Sequence, residues 1–239
     1  MNTASLYRQI RDMIAAKQFE ALRTLEIIKP QQFNWVAEVF ENIHVKDTPD
    51  AHALIWTDGV QTKTFSFREL SLHCNRFLHC LRKHQLQQQD VIFSQMPLVP
   101  ENWLTVLVSI KGGFRLIPAA TILNVHDIVY RFGKLMPKAV VADIDNAIKI
   151  DEAEVLSGKF VSLKILVNGT RDGWISFKEI YTEEAVADAA PTYANDALFL
   201  FFTSGTTNAK SCNAYSFQLP VWSLDHCIMD WFTAGRYTL

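Results

Sequence analysis

The chain of 239 residues predicts an α/β fold, a layered and mostly parallel sheet with helices on both faces. Three observations carry that expectation. Short apolar runs alternate with stretches of helical periodicity between residues 91 and 142. The connections between those runs are long enough for crossover helices, which parallel strands require. The run Ala197-Leu198-Phe199-Leu200-Phe201-Phe202 is apolar at every position, as a strand covered on both faces must be.

In chain order, residues 6–28 read as one amphipathic N-terminal helix, with Leu6, Ile10, Met13 and Ile14 at helical spacing and Pro30 to end it. A second helix carries Phe33, Val36, Val39, Phe40 and Ile43 on one face. Residues 53–56 and 64–67 read as two strands of a hairpin turning across Asp58-Gly59. Ser66 and Glu69 have capping-box spacing, and behind them Leu70, Cys74, Phe77, Leu78 and Leu81 form a buried stripe. Strands are then expected at 91–96, 114–118 and 139–142, with helices from Pro100 to 110 and over 125–132 between them. Gly112-Gly113 lies after a helix and before a strand, so it reads as a C-terminal cap and not as a phosphate-binding turn. Residues 163–167 and 197–202 supply further strands. Between residues 180 and 195 the chain turns acidic and small, a surface linker within one domain that returns it to the central sheet.

Composition narrows the function classes. With 49% hydrophobic and 20% charged residues and a formal charge of −2, the chain is ordinary for a globular domain and argues against a polyanionic partner such as nucleic acid. No apolar run approaches the ~18 residues of a membrane span. Asp12, Glu20 and Glu26 interrupt the basic residues near the N-terminus, unlike a presequence. Cys74, Cys80, Cys212 and Cys227 lack CxxC spacing and read as free thiols of a reducing compartment, which predicts a cytoplasmic location. His73, Cys80 and His84 could share one helix face, but with no fourth ligand they read as ordinary side chains, so no metal site is expected there. Trp56, Trp103 and Trp174 read as core and not as the lining of a ligand pocket.

The segment Thr203-Ser204-Gly205-Thr206-Thr207-Asn208-Ala209-Lys210 carries the chemistry. Hydroxyls and successive backbone N–H groups make a concave donor surface, Gly205 permits close approach, and Lys210 adds a compact positive charge. Such a loop can cradle phosphate; a Ser/Thr-rich surface turn has the same composition. The apolar strand in front of it favours the cradle, because open α/β sheets bind ligands at the carboxyl ends of their strands. It is not a Walker A loop, since Ala209 stands where that pattern needs a second glycine.

Thr203-Ser204-Gly205-Thr206-Thr207 resembles the ATP-phosphate loop of the AMP-forming acyl-CoA synthetases, with Lys210 at the family's lysine shifted by one and Asn208-Ala209 in place of the usual Gly-x-Pro run. The resemblance extends upstream. Phe33-Asn34-Trp35-Val36, Thr64-Phe65-Ser66-Phe67-Arg68-Glu69-Leu70, Pro118-Ala119-Ala120-Thr121, Asp127-Ile128-Val129-Tyr130-Arg131 and Arg171-Asp172-Gly173-Trp174 are similar to segments of the medium-chain branch. It implies that residues 1–239 form an incomplete N-terminal adenylation domain, with an N-terminal helix over 1–30 and a phosphate-binding loop over 203–211, and with the C-terminal domain absent. It further implies ATP held by its phosphates through Thr203, Ser204, Gly205, Thr206, Thr207 and Lys210, Mg²⁺ sharing the phosphate charge with no metal ligand from this segment, no catalytic acid, base or nucleophile, and coenzyme A as co-substrate of a complete enzyme. Members of that family run to more than twice this length. The isolated chain is therefore expected to be inactive in the full reaction: carboxylate, ATP and coenzyme A giving acyl-CoA, AMP and pyrophosphate. Three origins stay open, a natural short product, a frame-shifted gene and a split enzyme completed by a second chain. Two other functions also stay open, a non-catalytic nucleotide-binding or interaction module and a degenerate remnant.

Overall fold

The computed structural model describes residues 3–25, 30–203 and 211–216. α1 (Thr3–Ala15) and α2 (Phe19–Arg23) replace the single helix expected over 6–28. The break lies at Lys17, whose φ of 57° is left-handed. Its neighbour's amide, Gln18 N–H, donates to the Met13 carbonyl while Lys17 N–H donates to Ile14, a Schellman closure that periodicity does not reveal. Next comes a π-helix, Val36–Val45, which buries Val36, Val39, Phe40 and Ile43 as their spacing predicts. β1 (His52–Thr57) and β2 (Thr62–Ser66) form the expected antiparallel hairpin as a separate two-stranded sheet.

α3 (Phe67–Lys83) starts at the predicted capping box: Ser66 accepts from the Glu69 amide, and the Glu69 carboxylate accepts from Ser66 N–H at 2.8 Å. β3 (Val91–Gln95), β4 (Arg115–Pro118), β5 (Ala139–Ala142) and β6 (Leu163–Leu166) are parallel neighbours, with α4 (Pro100–Gly112) and α5 (Val125–Lys134) as crossovers. Gly113 caps α4 at φ 69°, the role expected for the glycine pair. α6 (Ile144–Ser157), β7 (Ile175–Ser176), α7 (Phe177–Ile180) and β9 (Ser211–Ser216) are additions to the expected set. β8 (Ala197–Thr203) completes the sheet, whose order is β7-β6-β5-β3-β4-β8-β9, all parallel except the β8–β9 pair.

Alternation along each strand divides the core into two layers. Ile92, Leu116, Val141 and Ile165 meet α3, α4 and the π-helix through Phe77, Leu81, Leu104, Val108 and Phe40. Phe93, Ile117, Val140 and Ala142 meet Ile128 and Phe132 of α5 and Ala147 and Ile150 of α6. At roughly 25 cal/mol per Å² of apolar surface removed from water, these two layers are the dominant favourable term. The first layer also holds a buried polar knot: Lys111 bonds Glu41 at 2.6 Å and Asn75, Ser71 donates to Glu41, and Asn34 donates to the carbonyls of Ile110, Lys111 and Ala190. A lysine 3% exposed survives there because its charge is paired and bonded. The linker after α7 is tied down by Arg82 to the Asp188 carbonyl and Lys83 to Glu183.

The tryptophans divide. Trp174 is buried, as expected of core, but Trp103 is half exposed and Trp56 spends its indole N–H on the Leu98 carbonyl at the hairpin's margin. Trp103 departs because it sits in the first turn of α4 on a face that no strand covers. No helix among the described residues is long and apolar enough to cross a membrane.

Candidate functional site

Because β3, β4, β5, β6 and β8 are parallel, their carboxyl ends form one rim of the sheet, ending at Gln95, Pro118, Ala142, Leu166 and Thr203. β4 and β5 flank β3 on opposite sides, although the chain visits them in succession. The order thus reverses about β3, the kind of position at whose carboxyl end open α/β sheets bind ligands.

Polar groups gather along this rim. Gln95, wholly buried, donates through Nε2 to the Ala120 and Leu123 carbonyls at 3.2 and 3.4 Å, and its Oε1 has no partner among the described residues. The Pro118-Ala119-Ala120-Thr121 turn is bound to β3 by Ala119 N–H donating to Ser94, and to α6 by Lys149 Nζ donating to the Thr121 carbonyl at 2.8 Å. Asn124 and Asp127 close a capping box at the start of α5. Asn146 bonds Asp143 and accepts from Lys149. None of Gln95, Asn146 and Lys149 was singled out by the sequence; only the Asn124 cap, an Asx residue three ahead of an acid, had a readable signal.

β8 brings the phosphate-loop candidate to the same rim. Thr203 is its last residue and pairs with Ser211, the first residue of the antiparallel β9. The segment between them therefore connects two adjacent strands at the carboxyl end of the parallel sheet. Ser204, Gly205, Thr206, Thr207 and Lys210 lie outside the described residues, as does the apolar stripe Leu224, Ile228, Trp231 and Phe232.

Beside the end of β8, α5 places a ladder of rings and cations. The Arg131 guanidinium stacks 5.1 Å from the Phe202 ring centroid, Tyr130 meets Phe202 edge-on at 6.3 Å, and Lys134 lies 5.8 Å over Tyr130. Arg131 is 8% exposed. Its Nη1 donates to the Asp127 carbonyl at 2.9 Å, and the Asp127 carboxylate stands 3.8 Å away. Burial pulls the guanidinium below its ordinary value and Asp127 pulls it back; an arginine stays charged through such a shift.

The remaining candidates have structural places. His73 sits between the rings of Phe65 and Tyr181, and Cys80 is buried with its thiol pushed up to about 11. Cys74 is buried too, and burial raises it to about 12, so both are free but poorly nucleophilic. The described residues contain no group of three or more His, Cys, Asp or Glu side chains placed to hold a metal ion.

Three comparisons with known proteins bear on this site. The profile of the "AMP-binding enzyme" family matches residues 42–210. A 4-hydroxybutyrate–CoA ligase of Metallosphaera sedula is 41% identical over 180 residues, covering 74% of this chain and 31% of that protein. The human acyl-coenzyme A synthetase ACSM4, mitochondrial, is 30% identical over 209 residues, covering 83% and 36%. The chain thus spans about a third of the length of these curated relatives. In fold it is similar to acetoacetyl-CoA synthetase from Streptomyces lividans, with a TM-score of 0.74 at 16% identity over 82% of this chain and 32% of that one. It is also similar to a luciferase-like enzyme of the mealworm Zophobas morio, with a TM-score of 0.70 at 18% identity over 84% and 49%.

Proposed function

The chain belongs to the AMP-binding enzyme family, and on that premise we propose that it is the phosphate-gripping N-terminal part of an acyl-CoA synthetase. The observation that carries this reading is the position of Thr203 at the carboxyl end of a parallel strand, opening a segment of hydroxyls, glycine and lysine. In the proposed reaction a carboxylate oxygen attacks the α-phosphorus of ATP, the bond to the β-phosphate bridging oxygen breaks, and pyrophosphate leaves. The thiol of coenzyme A then displaces AMP from the acyl-adenylate.

This chain's share would be positioning and charge. The hydroxyls and N–H groups of Thr203, Ser204, Gly205, Thr206 and Thr207, with Lys210, would hold the β- and γ-phosphates and stabilise the charge that grows on the leaving group. Mg²⁺, as counter-ion of ATP, would share that charge. Four hydroxyls and one ammonium suit phosphate oxygens as donors, and they leave metal ligation to ATP's own oxygens and to water. The substrate class is proposed to be carboxylic acids that form acyl thioesters, a hydroxy acid among them, from the names of the relatives. A second chain that completes the rest of the relatives' architecture and a cytoplasmic location belong to the same proposal.

The test is ATP binding and carboxylate-dependent pyrophosphate release by the purified chain, with acetate, butyrate, 4-hydroxybutyrate and octanoate as acids. ATP binding that weakens about tenfold or more in Lys210→Ala is expected, since the lysine makes the one direct charge contact proposed. A folded chain with no measurable affinity for ATP would sink the reading. Because the chain spans a third of its relatives' length, binding without pyrophosphate release is the outcome expected of an incomplete ligase, whereas release lost in Lys210→Ala would show that this chain adenylates acids unaided.

A further inference from the structure

The junction between β2 and α3 is gripped by two histidine rings. His44, on the π-helix, stacks flat on Phe67 with ring centroids 4.7 Å apart and planes 10° off parallel. His73, further along α3, meets Phe65 edge-on at 6.4 Å and Tyr181 at 4.7 Å. Phe65 lies near the end of β2 and Phe67 opens α3, so both sides of the turn at Ser66 rest on an imidazole. The hairpin is a two-stranded sheet apart from the main one, and two strands alone are marginally stable in water, so its place depends on such contacts.

Both rings sit where a proton is unwelcome. Burial holds both below the ordinary histidine value, and Arg76 beside His73 and Arg11 beside His44 add to it. His73 Nδ1 is buried with no partner among the described residues, and so is the Nε of Arg76, one turn further along the helix. A proton on that Nδ1 would bury a charged N–H without an acceptor, near a standing cation. Glu69, one turn back, attracts such a charge, but its carboxylate already accepts from the Ser66 N–H and hydroxyl. Tyr181, on the other side of the ring, donates its hydroxyl to Glu101 at 3.4 Å. At His44 the Tyr7 hydroxyl of α1 stands 3.2 Å from Nε2. Asp47 attracts a charge there, yet it is bonded to Arg8 at 3.2 Å and lies 3.8 Å from Arg11.

We propose that His44 and His73 form an acid-released clasp: while both rings are neutral they hold the β2–α3 junction, and with it the β1–β2 hairpin, and when they take up protons the hairpin comes away. Nothing in this clasp depends on the phosphate-loop reading. Trp56 on the hairpin donates its indole N–H to the Leu98 carbonyl at 2.7 Å, so release also frees the connection between β3 and α4 at the carboxyl rim. The docked hairpin binds fewer protons than the free one. Docking is therefore complete above about pH 6.5 and weakens as the pH falls below it toward the lowered values. Two titrating rings make that response steeper than one would.

The test is hydrogen exchange of the 239-residue chain at about pH 7.5 and about pH 5, followed peptide by peptide and corrected for the intrinsic exchange rate. Protection over residues 52–66 is expected to fall about tenfold at the lower pH while that of β3 and β5 holds. His44→Phe combined with His73→Phe keeps both rings and removes both titrating nitrogens, so its hairpin protection should be the same at the two pH values. Each single variant should lose part of the response. Wild-type hairpin protection that does not change with pH overturns the proposal, as does an equal loss in β3 and β5, which would be general acid unfolding. A response that survives in the double variant overturns it too. Should that variant not fold, NMR titration of the wild-type imidazoles decides: a midpoint at or above about 6.5 for either His44 or His73 overturns the clasp, and midpoints below it for both support it.

Discussion

Asp151 ties three segments together with one carboxylate. It accepts from Lys164 on β6 at 2.8 Å, from Arg171, and from the Trp174 indole at 3.1 Å, while Lys164 reaches Glu154 as well and lies 5.5 Å over the Trp174 ring. Burial pushes the Asp151 carboxyl up, but the bonds from Lys164, Arg171 and Trp174 outweigh it and hold it below the usual carboxylate value. A depressed folded value means that the unfolded chain binds the proton more readily. The stabilisation is therefore complete at neutral pH and is lost as the pH falls through the ordinary carboxylate range toward the lowered value. Asp151→Ala strands Arg171 and the indole N–H and leaves Lys164 with Glu154 alone, and about 1–3 kcal/mol of stability should go with it in urea denaturation. The deficit should shrink at acid pH, and a difference independent of pH would show that the carboxylate's charge is not what matters. The segment Arg171-Asp172-Gly173-Trp174 was legible as a family resemblance, yet its physical reason, a turn held against α6 by a single acid, needed the geometry.

Elements whose signals are local were readable, and those whose signals depend on neighbours were not. The Ser66–Glu69 box, the Asp58-Gly59 hairpin and the α4 cap each lie within a few residues, so turn and cap chemistry suffices to place them. α6 escaped because its apolar residues are on both sides. Ala147, Ile150 and Ala153 are buried, while Ile148, Val155 and Leu156 are exposed, which blurs the stripe that periodicity seeks. The cap of α4 carries the sharpest prediction at this scale. A Cβ at Gly113 would stand 2.8 Å from Gln88 Cγ and 2.9 Å from Thr192 Cγ2 at a φ of +69°. Gly113→Ala should cost about 1–3 kcal/mol, from strain in the left-handed region plus crowding. A thermal midpoint equal to that of the wild type would mean that the junction between α4, the loop before β3 and the linker repacks freely.

At the scale of the whole molecule, the parallel sheet and its two helical layers followed from rhythm and apolar runs, whereas strand order did not, because pairing is non-local. The sequence proposes a phosphate loop by composition and by the strand before it, and residues 204–210 of that loop lie outside the described residues. It could not reveal the polar rim of Gln95, Thr121, Asn146 and Lys149, whose members come together only when β3, β4 and α6 meet. That same order has a consequence for biosynthesis. β4 takes its outer neighbour from β8, pairing Leu116 with Phe199, roughly eighty residues further along the chain. β3, β5 and β6 can pair as they are made, but one flank of β4 stays an open template of unpaired N–H and C=O groups until β8 arrives. A chain ending at residue 190 is accordingly expected to self-associate, and sedimentation as a monomer would refute that. Synthesis of the last strands is then the interval in which the nascent protein is most exposed to pairing with its neighbours on the same message.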